Sequence, residues 1–311
     1  MRTLNLEQYQ KEFTESLELQ GKSFNTVKNY RTDLNIFKGF LISKGRSLEI
    51  NEVTVSEIQE YGDYLNKKYN SPNSIRRRVQ ALRLFFDFLI RKDLFHENPV
   101  KKMLVSPKVV DLPKPTPFHI IRQLRDKLTS IANTNKGHEK LLAMRNVLLL
   151  DLIYGGGLKV SDVERLHSKH VYSAKSKFRV IVAPDNRDPY TIPLDGSIVE
   201  SIENYNRELE KGKNRDKIDF DNLLFNGNPF KILSGSLSAR GIEIIFKDFS
   251  KLVNTQVTAK YLRQACIFKW LSQNTPQSRI KEWMGVQPQY SLKPYVDLLE
   301  NSPTDFAYLE I

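Results

Sequence analysis

Apolar residues in the first hundred positions recur at intervals of three and four. Val27, Tyr30, Leu34, Phe37 and Leu41 form one stripe, and Ile75, Val79, Leu82, Phe85, Phe86 and Leu89 form another behind a Ser71-Pro72 start. That period marks amphipathic helices, and Ser followed by Pro is the residue order of a helix N-terminus. The pattern predicts an all-helical domain over residues 1–105, whose remaining faces carry Lys28, Arg31, Lys38, Arg76, Arg77, Arg78 and Arg83. From 106 to 117 the text SPKVVDLPKPTP holds four prolines and neither helical nor strand period, which predicts an extended linker.

Beyond the linker the helical period returns. It predicts helices near 118–133, 138–155, 160–167, 195–211, 237–253, 258–273 and 276–284. Two runs near 177–183 and 188–193 alternate as strands, joined by a turn from Pro184 to Pro189. The fold class expected is therefore mainly α, with a helical N-terminal domain and a mixed α+β second domain (118–311) carrying a small antiparallel sheet. From residue 296 the tail VDLLENSPTDFAYLEI is acidic and apolar.

Charge narrows the partner. The 311 residues carry 48 Lys and Arg against 36 Asp and Glu, a formal net charge of +12, which suits attraction to a polyanion. A single cysteine, Cys266, excludes an internal disulfide framework and lies in an apolar helical run where a buried thiol is expected. No charged-then-apolar leader and no run of eighteen or more apolar residues is present, so a cytoplasmic protein is expected. His167 and His170 lack cysteine or carboxylate partners at ligand spacing and read as surface polar groups. Neither a metal nor another cofactor is expected.

The chemistry gathers in TAKYLRQACIFKWLSQNTPQSRIKEWMGVQPQYSLKPYVDLLE, where Lys260 and Arg263 share a helical face, Met284-Gly285 stops a helix, and Tyr295 follows ten residues after the glycine. This segment resembles the closing part of a tyrosine recombinase, with the pattern H/K-x-x-R, a helix, L-G-H and a tyrosine ten residues on. Upstream, LLLDLIYGGGLKVSDVERLH at 148–167 is similar to the family's first box, L-x-x-x-T-G-L-R-x-S-E-L-x-x-L. Between them KFRVIVAPDNRDPYTIPL fills the place of a β-hairpin whose turn carries a lysine.

Three positions depart from the family. The arginine of the first box is Lys159, Asp185 stands where the hairpin lysine belongs, and Val286 replaces the histidine or tryptophan after the glycine. The first domain also resembles the family's core-binding, SAM-like domain through SFNTVKNYRTDLNIFKGFL and SIRRRVQALRLFFDFLIRKDLFHENPV. The likeness is greatest to Xer-type recombinases and phage integrases, and it implies a clamp around duplex DNA without an added arm-binding domain in front.

By that resemblance Tyr295 is the nucleophile, Arg263 and Lys260 are phosphate ligands, and Lys159 is a weaker one with Asp162 as its orienting acid. Arg187, two residues past Asp185, is the substitute for the hairpin lysine. Tyr290 is the rival nucleophile, five residues early for the pattern. The implied activity is site-specific DNA recombination through a covalent 3′-phosphotyrosyl intermediate, by a homo- or hetero-tetramer of recombinase subunits, with the tail packing on a neighbouring protomer. The alternative is a DNA-binding protein of the same fold with little or no cleavage, motivated by the three departures. A helical interaction module without a DNA role leaves the basic faces unexplained.

Overall fold

The structure, a computed structural model, describes residues 5–103, 112–174, 177–184, 188–227 and 233–301. Much of the expected linker and the end of the tail therefore lie outside the described residues. The chain separates into two compact units, Met1–Asp111 and Leu112–Ile311. Among the described residues no helix is long and apolar enough to cross a membrane.

The first unit packs α1 (Leu6–Leu19), α2 (Phe24–Ser43), α3 (Val55–Lys68) and α4 (Pro72–Arg91), with short 3-10 turns at Ile50–Glu52 and Pro99–Lys102. Its helix starts are written locally. Thr54 and Glu57 close a capping box on α3, and Ser71 caps α4 ahead of Pro72 at the first turn. The predicted stripes form the core, with Phe37, Leu41, Phe85 and Leu89 fully buried. Each such side chain contributes about 2 kcal/mol by leaving water.

One part of the basic face is turned inward. Asp33 on α2 is buried and accepts from Arg77 Nη2 at 2.9 Å, while the Arg78 guanidinium lies 3.7 Å from the Tyr69 ring centroid. Burial raises the Asp33 carboxyl above its ordinary range against the pull of Arg77 and Arg78. Arg78 is thus a packing residue, whereas Lys28, Arg31 and Arg76 remain exposed.

The second unit contains α5 (Phe118–Thr134), α6 (Gly137–Tyr154), α7 (Val160–Glu164), α8 (Gly196–Asp216), α9 (Ala239–Leu252), α10 (Ala259–Ser272), α11 (Gln277–Trp283) and α12 (Lys293–Asn301). Strands β1 (Val171–Ala174), β2 (Lys177–Val182) and β3 (Tyr190–Pro193) form an antiparallel sheet in that order, and β4 (Asn226–Gly227) pairs with β5 (Leu233–Ser234). α6 is buried around most of its circumference, which explains its weak polar face: Leu148 to Tyr154 are all at most 1% exposed.

Several elements differ from the periodicity reading. α7 stops at Glu164 instead of 167 because Leu166 O accepts Leu223 N–H at 2.8 Å and His167 bridges to Asn222, so the chain is drawn into a pairing. The sheet gains β1, too short at four residues to show alternation. α8 runs to Asp216 and ends on Lys217 in the left-handed region, φ +54. His167 and His170 are half-buried rather than exposed, with His170 Nδ1 accepting the His167 N–H at 3.2 Å.

Candidate active site

The site begins where α6 runs out. Gly155 to Gly157 turn the chain, and Gly157 at φ +66 lies so close to α10 that a Cβ would sit 2.6 Å from Trp270 Cη2 and 3.3 Å from Cys266 Sγ. No side chain fits there. Cys266 is fully buried, and burial pushes its thiol up to about 12, as befits an inert packing group.

The turn delivers Lys159 to the start of α7. Asp162, 4% exposed, accepts the Lys159 backbone N–H at 3.1 Å and the Tyr190 hydroxyl at 2.9 Å on the same Oδ2. The carboxylate thereby closes the first turn of α7 and ties it to β3. Tyr190 also presses on Gly285 at the end of α11, where φ is +56 and a Cβ would meet the ring at 2.4 Å. Gly285 N donates to Glu282 O and Val286 N to Lys281 O, a glycine-terminated helix end.

α10 is started by Thr258, whose hydroxyl accepts Tyr261 N–H at 3.1 Å. Lys260 is exposed in its first turn, and Arg263 follows one turn on. Arg263 Nε donates to Gly157 O at 2.6 Å and Nη2 to Met284 O at 3.1 Å. One guanidinium thus joins the glycine turn to the end of α11. Among the described residues its Nη1 makes no hydrogen bond.

Tyr295 lies in the first turn of α12, its ring 5.6 Å from that of Phe268 on α10. It is 7% exposed. Burial, with Tyr290 nearby, pushes the phenol above its ordinary range, and Gln264 and the charge of Arg263 pull it back. Lys159, Lys260, Arg263, Gln264, Tyr290 and Tyr295 line one cleft of about 360 Å³. Four residues singled out along the chain are therefore brought together, across 136 positions from Lys159 to Tyr295.

Asp162 is not among the residues lining the cleft and acts there through the Lys159 backbone N–H and the Tyr190 hydroxyl. Asp185 and Arg187 lie outside the described residues. Val286 is half-buried and packs on the core. Tyr290, the rival nucleophile, lines the same cleft. Gln264 and Tyr190 are additions that the sequence pattern does not mark as site residues: only adjacency to Arg263 hints at Gln264, and nothing local marks Tyr190.

Residues 11–93 match the phage integrase N-terminal SAM-like domain. Over 305 residues, 95% of this chain and 93% of the relative, the sequence is 27% identical to tyrosine recombinase XerC of Oceanobacillus iheyensis. In fold it aligns with XerH site-specific recombinase bound to palindromic difH substrate in a post-cleavage complex, at TM-score 0.70 and 12% identity over 93% of this chain and 82% of that one. It also aligns with lambda integrase residues 75–356 bound to DNA, at TM-score 0.66 and 14% identity over 99% of both chains. Together these likenesses support a Xer-like tyrosine recombinase, of the phage integrase kind.

Proposed function

We propose that this chain is a site-specific DNA recombinase in which Tyr295 attacks a backbone phosphorus in line, forming a 3′-phosphotyrosyl link and releasing a 5′ hydroxyl. The observation that carries this reading is the convergence of Tyr295, Arg263, Lys260 and Lys159 on one cleft. The bond energy is kept in the phosphotyrosine, so rejoining needs no nucleotide.

As the pentacoordinate transition state gathers charge on its non-bridging oxygens, cations already aimed at them supply most of the stabilisation. Arg263 is held for that task by two backbone carbonyls, with Nη1 left to meet a phosphate oxygen. Lys260 supplies a second charge from the same helix. Lys159 supplies a third, as a point charge where a planar fork pairs two oxygens better. Asp162 orients it through the first turn of α7. Arg187 serves as the cation of the hairpin turn. Duplex DNA is the substrate, related recombinase subunits complete a tetramer on it, and the exposed cations of the first unit meet phosphates. A cytoplasmic setting is part of the same reading.

The test finds the target sequence as it runs. Cells expressing the tagged chain are lysed under denaturing conditions, and DNA ends attached to the protein are recovered and sequenced. A single recurring sequence is expected. DNA binding by the purified protein with no covalent ends recovered would favour the second reading, a binding protein with little cleavage. The burial of Tyr295 and the apolar Val286 are the observations behind that alternative.

The lysine at 159 has a measurable cost. Lys159→Arg is expected to speed covalent adduct formation about tenfold in single turnover on a nicked duplex bearing the recovered sequence, because the fork adds a second hydrogen bond to the phosphate. A rate at or below that of the wild type would mean that the cleft is matched to lysine.

A further inference from the structure

The chain enters the second unit through Pro113-Lys114-Pro115-Thr116-Pro117. Proline carries no backbone N–H, so this segment has two main-chain donors, those of Lys114 and Thr116. Both are given to α10. Lys114 N–H meets Gln264 Oε1 at 2.9 Å, and Thr116 N–H meets Tyr261 O at 3.1 Å. The segment is thereby strapped along the first two turns of the helix and runs opposite to it, the earlier strap residue meeting the later helix residue.

The strap is stiff by composition. Each proline fixes its own φ and confines the residue before it to extended backbone, so Lys114 and Thr116 have little freedom to lose on docking. Pro117 ends the strap at φ −59 and ψ 142, polyproline values, and α5 follows it. Pro113 and Thr116 are buried and Lys114 is exposed, so Lys114 anchors the strap by its backbone. Each contact on α10 is next to a cation of the cleft: Lys260 precedes Tyr261, and Arg263 precedes Gln264. Tyr261 is held at both ends of its backbone, its N–H by the Thr258 hydroxyl at 3.1 Å and its O by the strap. Gln264 is 8% exposed and lines the cleft with Lys260 and Arg263.

We propose that Gln264 is a positioning residue: by accepting the Lys114 N–H it holds the proline strap on α10, and the docked strap fixes where Lys260 and Arg263 sit in the cleft. This rests on that cleft being the site of strand cleavage. Gln264 touches no reacting atom in this role. The start of a helix is its least supported part, because its first N–H groups have no partner within the helix. Here two hydrogen bonds from outside α10 are added at the turns that carry the cations. Their placement matters because a donor stabilises a transition state only at the right distance from its oxygens. The chain arriving at Leu112 is tied to the phosphate-binding helix before it begins α5, so a shift of that chain reaches Lys260 and Arg263 directly.

The experiment uses the full chain, single turnover, and the nicked duplex bearing the recovered sequence. Lys114→Pro removes the N–H, and Lys114→Ala is its reference, since both lack the ammonium and only one lacks the donor. Gln264→Met removes the acceptor at similar volume. Lys114→Pro against Lys114→Ala, and Gln264→Met against wild type, are each expected to form adduct about ten- to a hundredfold more slowly, with duplex affinity within about twofold in each pair. Combining Lys114→Pro with Gln264→Met should slow the step no further, because both cut one link, whereas two separate packing defects would multiply. In Gln264→Met the two amides of residues 113–117 should exchange with deuterium about tenfold faster or more. Gln264→Met and its exchange decide alone if Lys114→Pro does not fold. Unchanged adduct rates, unchanged exchange, or deficits that multiply in the double variant would overturn the proposal while the recombinase reading stands. Failure of the wild type itself to form adduct would overturn that reading, and the proposal with it.

Discussion

Tyr295→Phe is expected to abolish covalent capture of DNA and to leave duplex binding within about twofold, because it removes one oxygen and no positive charge. The ring that remains keeps its place against Phe268 at 5.6 Å, so α12 stays docked on α10. A denaturing gel of protein mixed with end-labelled nicked duplex reads the result directly, as a shifted band present in wild type and missing in the variant. A band that persists would transfer the nucleophile's role to Tyr290, the other phenol lining the cleft, and Tyr290→Phe would then be the variant that erases it.

Arg263→Ala carries the second large effect, and it falls on two measurements at once. Loss of one preorganised donor to the transition state slows strand cleavage about 10²- to 10³-fold. The same substitution leaves the carbonyls of Gly157 and Met284 without their guanidinium partner, so the glycine turn and the end of α11 lose the group that joins them. Hydrogen bonds from a charged donor contribute about 1.5–3 kcal/mol each, so about 3 kcal/mol of stability should go, and thermal unfolding should fall by roughly 6–12 °C. Arg263→Lys separates the two effects. It retains a positive charge, but one ammonium does not reproduce the planar fork between two carbonyls, so its melting temperature should follow the alanine variant more closely than its DNA affinity does. An unchanged melting temperature in Arg263→Ala would show that the two carbonyl contacts contribute nothing net.

The two results bear on a single question, whether the departures from the family pattern disarm the cleft or are offset within it. Lys159 retains a charge but not a fork, and Val286 retains neither charge nor hydrogen bond. In their place the structure supplies an arginine braced by two backbone carbonyls. The rate of Lys159→Arg measures how far that arrangement compensates.

Helix positions are legible in the sequence because they rest on local information. The stripe from Ile75 to Leu89 reports its own period, and Ser71 with Pro72 marks its start, so α4 is readable without knowing what it packs on. The end of α7 is not readable, since it is set by a pairing with residues 222 and 223. Arg78 looks like a phosphate-facing cation along the chain because its neighbours Asp33 and Tyr69 reach it only after α2 and the end of α3 are packed. α12 escapes the periodicity reading, although Tyr295 lies in its first turn, because nine residues with a proline at the second position carry little period.

By itself the sequence determined the two-part helical layout, the positive balance, and the spacing from Lys260 and Arg263 through Gly285 to Tyr295, because each is a matter of composition or of intervals along one chain. Only the tertiary structure decided that Arg263 braces carbonyls 106 and 21 positions away, that Asp162 answers to Tyr190 across 28 positions, and that Gln264 is aimed by a backbone N–H 150 positions upstream. Such contacts depend on which helices meet and at what distance, and no local pattern of apolar and polar residues encodes that.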